Sequence, residues 1–152
     1  AGNLISSIVL EPEELEQHNL KLDGKYKEIE ANEVLFEEYK TDDADLVVVA
    51  YGVVSRIVYS TIDMARAEGL KVGLLRPITL WPYPTAAITK LAETAKGFLA
   101  VELSTGQMVE DVKLAVEGRA PVHFYGRCGG MVPGSTELLE EYRRILAEGA
   151  QS

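Results

Sequence analysis

Residues 46–51 read Leu-Val-Val-Val-Ala-Tyr, an unbroken and largely β-branched apolar run that ends at Gly52. A strand with one solvated face alternates apolar and polar side chains, so a continuous run predicts a strand buried on both faces. Such strands belong to mostly parallel sheets that helices cover on either side. This stretch therefore predicts an α/β fold.

An alternation of predicted strands and helices continues downstream of this strand. Two further buried strands are predicted, at Val72–Leu75 and Phe98–Leu103, and a last short strand at Val122–Tyr125, with His123 on an edge strand. The predicted helices are one from Gly52 to Gly69, one begun by Pro84 and stopped by Gly97, one from Ser104 to Gly118, and one capped by Ser135. Strands that alternate with helices of this length are joined by right-handed crossovers and run parallel.

The segment upstream of this repeat differs from it. Glu33 to Tyr39 alternates in the manner of a half-exposed edge strand, which gives a three-layer α/β/α domain with a five-stranded, mixed, mostly parallel sheet. Before it, Pro12 opens a predicted surface helix that Asp23-Gly24 can interrupt. The apolar stripe of this helix comprises Leu15, Leu22, Tyr26 and Ile29. We expect a connector over residues 1–32, the α/β domain over 33–148 and a tail over 149–152.

Composition and charge limit the function. The 152 residues are 47% hydrophobic with one cysteine, which allows a packed core but no disulfide or multi-cysteine metal site within this chain. The net charge of −9 arises in residues 1–45, which hold 13 acidic residues and 4 lysines. Without a basic stripe or an apolar run of about 20 residues, neither nucleic acid nor a membrane is an expected partner.

Localisation is predicted from two weak signals. The apolar stretch Ile5 to Leu10 has no basic region before it, so no signal peptide is expected. A single cysteine is typical of a reducing compartment, and we expect a cytoplasmic protein.

Ligands and partners meet an open α/β sheet at the carboxyl ends of its parallel strands. The candidate residues at those ends are Tyr51 and Gly52, Arg76, Glu102 with Ser104, Gly106 and Gln107, and Arg127. Because parallel strands end at one edge, we expect these residues along a single rim. No paired catalytic carboxylates accompany them, so we predict no catalytic residue and favour a binding or assembly module.

Two of these candidates have competing interpretations. Ser104 and Gln107 form an S-x-x-Q capping box, although free N–H groups at Gly106 and Gln107 could instead bind an anion. Glu102 ends a buried strand and needs a partner for its charge, which Arg127 or Arg76 could supply. A structural ion pair is favoured over acid–base catalysis.

Other conspicuous residues have modest interpretations. The loop Gly126–Gly130 lacks the Lys-Ser/Thr of a P-loop and favours a turn with positive φ over a phosphate cradle. Cys128 has no base beside it, and two distant histidines, His18 and His123, make no metal site. Trp81, in a proline-stiffened loop, is either an interface anchor or a core residue.

Four stretches together resemble the α-type subunits of 2-oxoacid:ferredoxin oxidoreductases. They are VVVAYG (47–52), GLKVGLLRPITLWPYP (69–84), VELSTGQMVEDV (101–112) and FYGRCGGMVP (124–133). The leader EPEELEQHNLKL (11–22) is similar to the connector that precedes this domain in those subunits. The likeness is strongest to the 3-methyl-2-oxobutanoate type, followed by the 2-oxoglutarate type.

The resemblance implies a transketolase carboxy-terminal-like fold with an antiparallel first strand. It also implies a parent enzyme that decarboxylates a 2-oxoacid on thiamine diphosphate and magnesium, reduces ferredoxin through iron–sulfur clusters and forms an acyl-CoA. By that resemblance the cofactors are held in other domains or subunits. We therefore expect this chain to bind none of them, to be inactive alone and to pack subunits together.

Two alternatives remain. One is a free-standing domain that binds a small anion or nucleotide, and the other is the equivalent domain of a transketolase or of a 2-oxoacid dehydrogenase β-subunit.

Overall fold

A single five-stranded sheet organises the computed structural model, which describes residues 8–149. The strands are β1 (Phe36–Tyr39), β2 (Leu46–Val49), β3 (Val72–Pro77), β4 (Gly97–Glu102) and β5 (Val122–Gly126). Their spatial order is β1-β3-β2-β4-β5, in which β1 is antiparallel to β3 and the other neighbours are parallel. The predicted mixed sheet with an antiparallel edge strand is confirmed.

Helices cover both faces of this sheet. They are α2 (Gly52–Ala67), α3 (Thr85–Leu91), α4 (Met108–Val116) and α5 (Ser135–Gly149). A further helix, α1 (Pro12–Asn32), precedes the sheet and contains no buried residue. Along β2, Leu46 and Val48 pack with α2 and α5, whereas Val47 and Val49 pack with α3 and α4. All four side chains are fully buried, so β2 is covered on both faces as its unbroken apolar run predicts.

Gly73 in β3 is required by a close approach of two backbone segments. A Cβ atom at this position would lie 2.5 Å from the carbonyl oxygen of Lys40 and 2.9 Å from the Cα atom of Thr41. Side-chain carbon atoms do not tolerate such distances, so the chain between β1 and β2 can cross β3 only where a side chain is missing.

The edge strand predicted from Glu33 begins at Phe36, and the helix predicted from Ser104 begins at Met108. Three other predicted boundaries are wrong. Helix α1 continues through Asp23-Gly24, where an exposed ion pair of 2.6 Å from Lys27 to Asp23 spans the glycine. Gly97 does not stop α3, which ends at Leu91; Gly97 already belongs to β4 and donates its N–H to the carbonyl of Asp45.

The third concerns Ser135, which is the first helical residue of α5 rather than its cap. The carboxylate of Glu137 instead accepts the N–H of Gly134 at 2.9 Å. The turn with positive φ in the glycine-rich loop is confirmed at Gly129 and Gly130.

No helix within residues 8–149 is both long enough and apolar enough to cross a bilayer. Ile5, the start of the stretch considered as a signal sequence, lies outside the described residues.

Candidate functional site: the carboxyl rim of the sheet

Glu102 is a buried carboxylate, 1% exposed, at the carboxyl end of β4. Its oxygens accept the backbone N–H groups of Gln107 at 3.1 Å, Met108 at 3.0 Å and Val109 at 2.9 Å. The hydroxyl of Ser104 donates to the same carboxylate at 3.0 Å. These backbone groups are the unpaired donors of the first turn of α4, where the helix dipole also favours a negative charge. Glu102 therefore caps α4 from the preceding strand.

This arrangement overturns two predictions. Ser104 and Gln107 do not form a capping box, because the side chain of Gln107 makes no capping bond and Ser104 accepts the N–H of Gly106 instead. Glu102 pairs with neither Arg127 nor Arg76, because the helix start already compensates its charge. The same bonds use the N–H groups that an anion would need, so the predicted anion site at Gly106 and Gln107 is disfavoured.

The candidate residues lie at the same edge of the sheet but divide between its faces. Tyr51 packs with the core under α3 and α4, and Glu102 binds α4. Arg76 contacts Glu37, which also binds Tyr59 of α2, and Arg127 contacts Glu137 of α5. The parallel strands do bring the residues to one end of the molecule, but no single cluster joins them.

Both arginines of the rim are held by carboxylates. The distance from Arg76 to Glu37 is 2.8 Å and that from Arg127 to Glu137 is 3.1 Å. A hydrogen bond from Tyr59, followed by that from Arg76, holds the pKa of Glu37 below its ordinary value. Each guanidinium keeps one buried Nε–H without a partner in the described structure.

Apolar side chains are exposed at this rim. Trp81 is 53% exposed, which excludes the core alternative, and it makes an edge-to-face contact with Tyr26 of α1 at 5.6 Å between ring centroids. Other exposed apolar residues lie in the segments that follow the parallel strands: Val53, Ile78, Leu103, Met131 and Val132. None of these five was among the predicted rim residues. Leu103 was predicted as the end of a buried strand, but β4 ends at Glu102 and Leu103 is 41% exposed.

Chemically reactive groups are scarce at the rim. Cys128 is exposed, and no group of three or more metal-ligating side chains occurs in residues 8–149. Burial, reinforced by the carboxylates of Asp111 and Glu102, raises the pKa of the Tyr83 hydroxyl, so this group stays protonated at neutral pH. The rim can present surface to a partner, but the described side chains assemble no acid–base pair.

A cavity of about 480 Å³ lies at the opposite, amino end of the strands. Its lining includes Leu46, Lys71, Lys96, His123 and Leu146. Lys96 already pairs with Asp45 at 3.1 Å, and none of the predicted rim residues reaches this cavity.

The fold defines a class: an α/β domain of the transketolase carboxy-terminal type. A split-gene transketolase shares this fold at a TM-score of 0.52, with 18% identity over 72% of this chain and 38% of that chain. The sequence model of pyruvate:ferredoxin oxidoreductase core domain II matches residues 44–138. The chain belongs to that family.

The relatives and a solved structure agree with this assignment. Ketoisovalerate oxidoreductase subunit VorB of Methanothermobacter marburgensis is 48% identical over 96% of this chain. 2-Oxoglutarate synthase subunit KorA of the same organism is 38% identical over 66% of it and 27% of its own length. 2-Oxoglutarate:ferredoxin oxidoreductase from Magnetococcus marinus shares the fold at a TM-score of 0.73, with 20% identity over 90% of this chain and 24% of that chain.

The chain spans 41% of the length of the VorB subunit that it matches and 42% of the VorB subunit of Methanothermobacter thermautotrophicus. More than half of each relative therefore has no counterpart in this chain.

Proposed function

We propose that this chain is a non-catalytic domain of the α-type subunit of a thiamine diphosphate-dependent 2-oxoacid:ferredoxin oxidoreductase, and that its rim packs against other domains and subunits of that enzyme. The observation that carries the packing role is the set of apolar side chains exposed at the carboxyl edge, where Trp81 and Val53 are both 53% exposed. Exposed apolar clusters bordered by polar residues are typical of interfaces.

The parent reaction is proposed from the relatives. With 48% identity to a ketoisovalerate oxidoreductase subunit, we assign a branched-chain 2-oxoacid as the substrate, an acyl-CoA as the product and ferredoxin as the electron acceptor. We place the enzyme in the cytoplasm.

The cofactors of such an enzyme do not fit the residues of this chain. One cysteine in the sequence cannot supply the four thiolates of an iron–sulfur cluster. The N–H groups at the start of α4, which a diphosphate would need, are bonded to Glu102. Thiamine diphosphate, magnesium and the clusters therefore belong to other parts of the parent enzyme in this proposal.

Val53→Asp in the complete oxidoreductase tests the packing role. Val53 lies in the first turn of α2, where an aspartate is favourable for the helix, so the domain should fold normally. We expect the charge to weaken assembly, measured by native mass spectrometry, and to lower ferredoxin reduction in the same proportion. Ser60→Asp, at an exposed position two turns further along α2 and away from the rim, is the matched control and should leave both unchanged.

Two outcomes contradict the proposal. Full assembly and full activity of Val53→Asp would show that the rim is not covered. Full assembly with lost activity would assign the rim a catalytic role instead.

The alternative as a transketolase or 2-oxoacid dehydrogenase domain has weaker support, because the transketolase likeness rests on fold alone. Calorimetric titration of the chain with thiamine diphosphate and magnesium tests the expected absence of binding. Specific binding would contradict the assignment of these cofactors to other domains.

A further inference from the structure

The first half of α1 is a helix without a packing surface. Every residue from Glu11 to Leu20 is exposed, and α1 as a whole contains no buried residue. The nine helical residues among them, 12–20, rise about 14 Å, and an isolated helix of this length is not stable in water without tertiary support. This half of α1 therefore lacks the packing that stabilises helices in folded proteins.

The second half of α1 is fixed to the rim. Tyr26 contacts Trp81 edge-to-face, and Leu22 and Ile29 are half-buried. The segment between α1 and β1 is held in place as well, because the carbonyl of Leu35 accepts the N–H groups of Ile78 and Thr79 at 2.9 and 3.1 Å. The direction of α1 is thus set at the rim, and its first half projects from it.

The apolar stripe of α1 continues onto the projecting half. Leu15 precedes Leu22 by seven residues, two helical turns, and so lies on the face that carries Leu22 and Tyr26. Leu15 is 38% exposed and Leu20 is 58% exposed. The surface that would cover Leu15 is therefore continuous with the rim at Trp81.

The two halves of α1 differ in net charge. Residues 11–20 contain Glu11, Glu13, Glu14 and Glu16 and no lysine or arginine, which gives this segment a charge of −4. Two such segments would repel each other, so an α1–α1 contact between two copies is unfavourable. A surface that carries lysine or arginine is the complement.

We propose that the first half of α1 is a docking arm that lies in an apolar groove bordered by basic residues on another part of the same oxidoreductase. This inference rests on the proposed function and names the chemistry of the partner surface. More than half of the length of the VorB relatives lies outside the matched region, so a parent subunit has ample chain to supply the groove.

Amide hydrogen exchange in the complete oxidoreductase and in the 152-residue chain tests the arm. We expect the amides of residues 14–20 to exchange at least about tenfold more slowly in the oxidoreductase, the factor that corresponds to full burial of one leucine side chain. Raising the salt from about 0.1 M to about 1 M, which shortens the Debye length from about 10 Å to about 3 Å, should remove much of this protection. Leu15→Asp should abolish it, whereas Gln17→Asp, on the opposite face of the same exposed segment, should preserve it.

The outcomes separate the arm from the proposed function. If exchange slows in residues 78–81 and 103–107 but not in α1, the docking arm is overturned and the packing role of the rim is supported. If exchange slows in neither the rim nor α1, both the docking arm and the packing role are overturned. Protection of α1 that persists in about 1 M salt overturns the basic groove. Protection that rises with the concentration of the isolated chain assigns the groove to a second copy and also overturns the proposal.

Discussion

At the scale of single residues, Glu102 shows how a charge is stabilised in the interior without an opposite charge. Backbone N–H groups of α4 and the Ser104 hydroxyl surround a carboxylate that is 1% exposed. Such charge-assisted bonds are about twice as strong as neutral ones. The carboxylate thereby fixes the loop between β4 and α4 as part of the rim.

Glu102→Gln should destabilise the domain by about 2–4 kcal/mol, because an amide nitrogen would face N–H donors and leave at least one unsatisfied. Urea unfolding followed by far-UV circular dichroism measures the change. Glu110→Gln on the same helix is the control, since Glu110 is exposed and should contribute no more than about 0.5 kcal/mol. Equal stability of both variants would mean that Glu102 is not the cap.

Gly73→Ala should cost about 1–3 kcal/mol or more, because its methyl group would meet the backbone of Lys40 and Thr41, which cannot move aside as a flexible side chain would. Gly24→Ala is the matched control: nothing lies within 4 Å of its Cβ position, and alanine favours the helix. The same urea titration compares them. A neutral Gly73→Ala would refute the close backbone approach.

At the scale of elements, Glu137 links the glycine-rich loop to α5. Its carboxylate accepts bonds from the N–H of Gly134, the hydroxyl of Tyr125 and the guanidinium of Arg127. The Gly134 N–H, followed by Tyr125 and Arg127, holds the pKa of Glu137 below its ordinary value of 4.5. The bonds of one side chain therefore connect β5, the loop and the start of α5.

Glu137→Gln should make the free energy of unfolding depend less on pH between neutral and acid conditions. A carboxylate with a lowered pKa stabilises the fold fully above its ordinary value of 4.5, and this contribution is lost as the pH falls through its pKa in the folded state. Urea midpoints measured from neutral to acid pH should therefore converge for the variant and the parent chain. Glu140→Gln, exposed on the same helix, is the matched control. A constant offset for Glu137→Gln would contradict the assignment.

At the scale of the whole molecule, the stability resides in the sheet and the four helices that sandwich it. The buried cores on the two faces draw on α2 with α5 and on α3 with α4, whereas α1 contributes no buried residue. The molecule thus combines a stable domain with a helix that depends on the rim.

Removal of residues 1–32 should lower the free energy of unfolding by less than about 3 kcal/mol, because the main losses are the Tyr26–Trp81 pair and the half-burial of Leu22 and Ile29. Tyr142→Ala in α5, which empties a fully buried position, should cost about 3 kcal/mol or more. Chemical denaturation of both proteins provides the comparison. A truncated chain as unstable as Tyr142→Ala would show that α1 belongs to the core.

The fold could be predicted because its signals are local and repeated. The run at Leu46 and the alternation after Glu33 distinguish a doubly buried strand from an edge strand without tertiary information. The cap by Glu102 could not be predicted in this way, because its partners lie five to seven residues ahead and only the turn of the loop brings them together. The ion pairs of Arg76 and Arg127 could not be predicted either. They depend on which face of the sheet each side chain occupies, and the strand register determines that face.

Trp81 is the chain's single tryptophan, and it stands where α1 meets the rim. The fluorescence of its indole is therefore an intrinsic probe. The indole is about half exposed to solvent in the isolated chain and would lose that solvent contact if a partner covered the contact between α1 and the rim. A blue shift of its emission would follow assembly in real time, with no dye and no engineered label.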